Sequence, residues 1–232
     1  MTRDELVSLY QSPDEIGDPP ALRGLDEVNW SALGQAYGPA TNIPALLRAL
    51  VSGNSEHQDW ARQDLFQTIW HQGTVYSATA AAVPFLFNLL EDDGPQDKLA
   101  IADLLASIAT GALYSARFDG NPQELARMEG IMKRPLQSEI EAGRQVAAKI
   151  RQVMVARIDL LYPYLRTRNP SVRAAVVRAF GALPEIARRI QPVLERMLER
   201  EREEFVRGAL AQVIASLKSA GSGRNPADCA VW

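Results

Sequence analysis

The chain has 232 residues, 47% hydrophobic and 23% charged, an ordinary globular composition large enough for a sizeable core. No apolar run approaches the about 20 residues that span a bilayer, and the early acids Asp4 and Glu5 argue against a secretory leader. The single cysteine, Cys229, excludes an intramolecular disulfide and points to the cytoplasm. The net charge of −3 hides a polarity: residues 1–140 hold 9 basic and 19 acidic side chains, and residues 141–232 hold 16 and 9. An acidic first part joined to a basic second part bears on partners rather than on fold. Only Lys98, Lys133, Lys149 and Lys218 are lysine, and the arginine excess favours planar, bidentate contacts.

Residues 1–39 are rich in Pro, Gly and acids and are expected to cap the molecule, with short helices over 4–10 and 26–37. A first helix pair is expected over 40–73. It opens on Ile43-Pro44-Ala45-Leu46, and Asn54-Ser55-Glu56 supplies an N-cap for a helix over 60–70. The junction His71-Gln72-Gly73-Thr74-Val75-Tyr76 has two readings. One is a turn in which Gly73 stops a helix and Thr74 caps the next; the other is a loop whose His71, Gln72, Tyr76 and Thr79 face a ligand. The turn reading carries more weight. Trp60 and Trp70 fall on an apolar face and are assigned to the core, whereas Trp30 is left open.

A second pair spans 78–112. It opens on Val83-Pro84-Phe85-Leu86 and continues after Asp93-Gly94-Pro95 with Ile101, Leu104, Leu105 and Ile108 at helical spacing. Residues 113–145 break the rhythm, because the third proline phrase, Tyr162-Pro163-Tyr164-Leu165, arrives 79 residues after Pro84, while Pro44 and Pro84 are 40 apart. This stretch is an insertion or a degenerate repeat, with a loop at 114–122 and one or two helices over 123–150. Two further pairs follow at 146–183 and 184–218, and the tail 219–232 is expected to be flexible. Proline at the same place in four helices suggests a bend or a late start in each.

The last two pairs repeat one another. Val172, Ala175, Val176, Ala179, Phe180 and Leu183 map onto Val206, Ala209, Leu210, Val213, Ile214 and Leu217 at an offset of 34 residues. The spacing is one face of a helix, and a self-match at a period of 20–50 residues is the signature of stacked repeats. The order apolar-Pro-x-Leu, turn, Asn169-Pro170-Ser171-Val172-Arg173, then Phe180-Gly181-Ala182-Leu183 resembles the HEAT (ARM-like) repeat. The likeness is fullest over 163–183 and 192–217. Residues 71–76 and 82–86 also resemble small bacterial HEAT-like proteins of unassigned activity. The resemblance implies an all-α fold, a right-handed α-α superhelix of about four to five helix pairs over 40–218. It also implies that Arg173 and Arg207 pair with an acid or a carbonyl of a neighbouring unit.

Little in the chain suggests catalysis. The only histidines, His57 and His71, make no metal-ligand spacing, and no Walker loop or Gly-x-Gly-x-x-Gly occurs. No metal, cofactor or catalytic residue is therefore assigned. The expected role is a non-enzymatic scaffold that binds another protein, as an inhibitor, immunity or adaptor protein. The alternative is nucleic-acid binding, like the HEAT-like alkylpurine glycosylases, through the basic second part; the pI of about 5.5 disfavours it. Beside the junction residues, the candidate contacts are Arg144, Lys149, Arg151 and Arg157, which have few acidic neighbours in sequence, with Arg166 and Arg168.

Overall fold

The computed structural model describes residues 2–12 and 18–221, so Cys229 and most of the predicted flexible tail lie outside the described residues. The architecture is all-α: among the described residues helices carry the structure, with two small hairpins of two-residue strands beside them. Among the described residues no helix is long and apolar enough to cross a membrane.

Helix α1 (Arg3–Tyr10) starts where expected, on a capping box in which Glu5 N–H donates to Thr2 Oγ1 at 3.3 Å and Thr2 N–H to Glu5 Oε2 at 2.7 Å. The helix expected over 26–37 does not form. Three single 3-10 turns stand at Pro20–Leu22, Leu25–Glu27 and Trp30–Ala32, followed by a hairpin of β1 (Gly34–Gln35) and β2 (Gly38–Pro39). Val28 and Leu33 take extended backbone, at ψ of 126° and 140°, and so end the turns inside the expected span. Trp30, left open by the sequence, is core: it packs against Phe85 and donates its Nε1–H to Leu25 O at 2.8 Å.

Helix α2 (Ile43–Ala49) begins at its proline, and α3 (Ser55–Thr68) takes the Asn54 cap. α3 stops at Thr68, short of the expected end at Trp70. β3 (Trp70–His71) and β4 (Thr74–Val75) then form a hairpin around Gln72 and Gly73, at φ of 51° and 84°. Two successive left-handed residues are what a tight two-residue hairpin requires. Gly73 is therefore a hairpin turn rather than a helix stop, and Thr79, not Thr74, caps α4 (Ser77–Glu91) by accepting from Tyr76 N–H at 2.8 Å. α5 (Lys98–Ala109) starts on the Asp97 side chain. The irregular stretch resolves into α6 (Pro122–Met132) and α7 (Gln137–Arg157). α6 ends at Lys133, in left-handed backbone, and contributes Met128 to a small separate core with Phe118, Leu136 and Ile140. A 3-10 stretch (Ile158–Arg166), α8 (Pro170–Gly181), α9 (Ala187–Leu198) and α10 (Glu204–Gly221) follow among the described residues. The four prolines are handled differently: Pro44 starts a helix, Pro163 lies in the 3-10 stretch, and Pro84 and Pro192 are inside α4 and α9.

The packing order follows the pairs. α2 lies against α3 and α4 against α5, while α3 touches α5, α5 touches α8 and α8 touches α10. Of the twelve repeated apolar positions, which lie in α8, at Leu183 just beyond it and in α10, all are buried except Ala175, which is partly so. Each large one contributes about 1.5–3 kcal/mol of burial. Gly181 lets α10 close in: a Cβ there would fall 2.7 Å from both γ-carbons of Val213. Of the two repeat arginines, Arg173 reaches an acid of the neighbouring pair as the resemblance implied, whereas Arg207 binds carbonyls of its own pair. Arg173 donates Nε–H and Nη2–H to the Glu201 carboxylate at 2.9 and 3.0 Å and Nη1–H to Thr167 O at 2.8 Å. Arg207 donates to the carbonyls of Leu198 and Glu201 at 2.9 and 3.0 Å.

Glu201 and Arg173 are largely shielded from water, and the Arg173 guanidinium holds the Glu201 carboxyl below its ordinary value. Glu201→Ala is expected to cost about 1.5–3 kcal/mol in denaturant unfolding, since it strands a buried guanidinium. Because the folded pKa is lowered, the wild-type advantage is complete above about pH 4.3, the unfolded value, and is lost as pH falls through the folded one. Gly181→Ala is expected to cost about 1–3 kcal/mol by overpacking against Val213, read by the same measurement.

Candidate binding surfaces

The junction residues separate into structural and exposed roles. Thr79 is fully buried, and its hydroxyl donates to Ile69 O while accepting from Tyr76 N–H, so it offers nothing to a partner. The first hairpin is tied to the residues flanking the second, by Ala36 N–H to Thr68 O at 3.0 Å and Gly34 N–H to Ser77 Oγ at 2.8 Å. This brings Tyr37 edge-on to His71, with ring centroids 5.5 Å apart and Tyr37 Oη 3.4 Å from His71 Nδ1. Burial, and Tyr37 nearby, raise the pKa of the Tyr76 phenol. The sequence signal missed Tyr37, which is 34 residues from His71 and meets it only through the hairpins. The other histidine, His57, shares a 2.7 Å hydrogen bond with Tyr10, linking α3 to α1.

The expected basic patch is largely neutralised by acids distant in sequence. Arg144 pairs with Asp119 through Nε–H and Nη2–H at 2.9 and 2.6 Å. Arg151 donates Nη2–H to Glu185 at 2.8 Å. Arg157 reaches α4, where it meets Glu91, Asn88 Oδ1 at 2.7 Å and Pro84 O at 3.2 Å, with its guanidinium 5.3 Å from the Phe87 ring centroid. Lys149, Arg166 and Arg168 are exposed, and Arg168 lends its carbonyl to Arg173. The patch is thus three bound guanidiniums and three exposed cations, not one basic stripe. Along α7, however, Arg144 and Arg151 line an apolar cleft of about 330 Å³ against the end of α5 and residues 111–116. Tyr76 lines an adjoining one of about 300 Å³ on the far side of Gly143.

A second surface crosses α3, α5, α8 and α10. Asp103 of α5 is half-buried between the charges of Arg62 on α3 and Arg178 on α8. Burial raises its carboxyl pKa, and the two arginines only partly oppose that. Arg178 in turn stands 5.9 Å from the ring centroid of Phe205 on α10, a large apolar side chain that is 53% exposed. Beside Asp103, a groove of about 250 Å³ between α3 and α5 is lined by Gln58, Arg62, Asp97 and Leu104. Arg178 thus links a carboxylate kept at a desolvation cost to an exposed aromatic ring. Nothing flagged it in the sequence, where Asp103 reads as the solvent face of an apolar helix. The available clue was that apolar residues flank it on both sides, at Ile101, Ala102, Leu104 and Leu105.

Among the described residues no group of three or more His, Cys, Asp or Glu side chains could hold a metal ion. Comparison with protein-family models, with curated proteins and with solved structures returns no match.

The raised pKa of Asp103 means that its ionised form weighs against folding. Stability should therefore rise as pH falls through the folded value towards about 3.9, the unfolded one. Asp103→Asn is expected to raise Tm at pH 7, with the gap to wild type narrowing towards pH 4 in a calorimetric pH series. A lower Tm at pH 7 would mean that the carboxylate is held for stability.

Proposed function

We propose that this chain is a HEAT-like right-handed superhelix of about four to five helix pairs that binds another cytoplasmic protein without catalysis, as an inhibitor, immunity or adaptor protein. The pairs are 40–73, 78–112, 146–183 and 184–218, capped by 1–39, with α6 and the start of α7 inserted between the second and third. Supporting this are the 34-residue repeat with its matching buried faces and the successive contacts α3 to α5, α5 to α8 and α8 to α10. Such stacks bury a continuous core and offer one extended surface.

The observation that carries the binding reading is the stripe Arg62–Asp103–Arg178–Phe205. It draws one residue from each of four successive second helices. Arginine and aromatic side chains are favoured anchors in interfaces, and alternating charge selects a complementary partner. Nucleic-acid binding is the weaker reading, because Arg144, Arg151 and Arg157 already hold acids.

The test is affinity capture from native lysate, with and without nuclease, using wild type and the double variant Arg178→Glu/Phe205→Ala. Both substituted side chains are exposed, so the fold should stand. A stoichiometric protein partner that survives nuclease and binds the variant at least about tenfold more weakly is expected. Retention of nucleic acid alone, or equal capture by the variant, would overturn the proposal.

A further inference from the structure

We infer that the groove between α3 and α5 receives an arginine side chain of the bound protein; this rests on the proposed function and names the chemistry of the partner. The floor of the groove is apolar, made by Leu50, Leu65, Ile101 and Leu104, all of them buried. Its rim carries Asp59, Arg62 and Asp97, two carboxylates to one guanidinium. An apolar floor under an acidic rim matches a long basic side chain, whose aliphatic stem covers apolar surface while its charged head stays among polar groups. Arginine suits it better than lysine, because the guanidinium is weakly hydrated and its five donors can serve carboxylates on either side. The volume of about 250 Å³ falls below the about 300–1,000 Å³ of small-molecule sites, so one inserted side chain fits it better than a free ligand.

The carboxylates keep acceptor capacity in reserve. Asp97 Oδ1 takes the N–H groups of Leu99 and Ala100 at 3.0 and 3.1 Å, and among the described residues its Oδ2 accepts no hydrogen bond. Lys98, the next residue, stands 3.7 Å from Asp93 instead. Asp59 meets Arg62 at 3.5 Å in an exposed ion pair of one helix, a contact that adds little. The same Arg62 faces the charge of Asp103 beside the groove, and Arg178 faces Asp103 from the other side. Rim and margin together therefore hold three carboxylates and two guanidiniums, an excess of one negative charge. The wider field has the same sign, since residues 1–140, which include both helices, hold 19 acidic and 9 basic side chains. A cationic head is drawn to such a rim and an anionic one is turned away.

The experiment titrates the full chain with acetyl-Gly-Arg-Gly-amide and, separately, with its neutral citrulline counterpart, following the amide resonances of α3 and α5 by NMR. The arginine tripeptide should give saturable shifts at groove amides below about 10 mM, and the citrulline one should bind at least about tenfold more weakly. Asp59→Asn/Asp97→Asn should weaken the arginine tripeptide by a similar factor; asparagine caps a helix as well as aspartate does, so the fold should stand. Absence of saturable shifts, equal binding of the two tripeptides, or equal binding by the asparagine variant would overturn the inference. In the lysate capture, the asparagine variant should also retain the partner at least about fivefold more weakly. A partner lost with Arg178→Glu/Phe205→Ala but held equally by Asp59→Asn/Asp97→Asn would overturn the groove reading and leave the proposed function standing. Tripeptide binding with no captured protein would overturn the proposed function, and with it the partner as the source of the side chain.

Discussion

Glu201 holds two neighbouring helices in register with one residue. Its carboxylate receives Arg173 from α8, and its carbonyl receives Arg207 from the first turn of α10. The same carboxylate accepts the backbone N–H groups of Arg202 and Glu203, each at 3.0 Å, and so shapes the turn into α10. A buried ion pair adds little stability over a well-packed apolar pair, yet it is costly to half-remove. Its value here is positional. With α8 and α10 fixed, Gly181 closes on Val213 and Arg178 comes to rest over Phe205. The exposed stripe is thus set by an interaction on the other side of the same helix.

The first end of the molecule is fastened by the same chemistry. Arg48, buried on α2, donates to Asp18 at 2.7 and 2.8 Å, to Asp26 at 2.7 Å and to Gln11 O at 2.8 Å. These bonds, Asp18 foremost, raise its pKa and keep it charged despite burial. Three separate points of the irregular 1–39 segment converge on one side chain, which lets a stretch without long helices cover the first pair. Arg48, Arg157, Arg173 and Arg207 thus act as internal fastening, each binding a backbone carbonyl.

What could be read from the sequence was what repeats or is local. The apolar face from Val172 to Leu183, its echo in α10 and the Asn54 and Asn169 caps depend on residues within a few turns. The failures were of two kinds. Gln72 adopts left-handed backbone without being glycine, so the 70–75 hairpin looked like a helix junction. The pairings Arg144–Asp119, Arg151–Glu185 and Arg157–Glu91 span 25, 34 and 66 residues, so arginines without near acids seemed free. Asp103 and Phe205 were hidden for a related reason, since their meaning arises only when helices from different pairs stand side by side. The groove between α3 and α5 was equally illegible, because Asp59 and Asp97 line it from different pairs.

The packing makes α5, α8 and α10 one cooperative stack and leaves α6, with its small satellite core, as an appendage. Native-state hydrogen exchange, resolved by segment along increasing denaturant, tests this most directly. Amides of α5, α8 and α10 are expected to converge on one opening free energy, equal to that of global unfolding, and α6 to open well below it. Exchange of α10 at a free energy far below that of α8 would contradict it, because the Glu201 linkage and the Gly181 contact would then not bind the two helices into one unit.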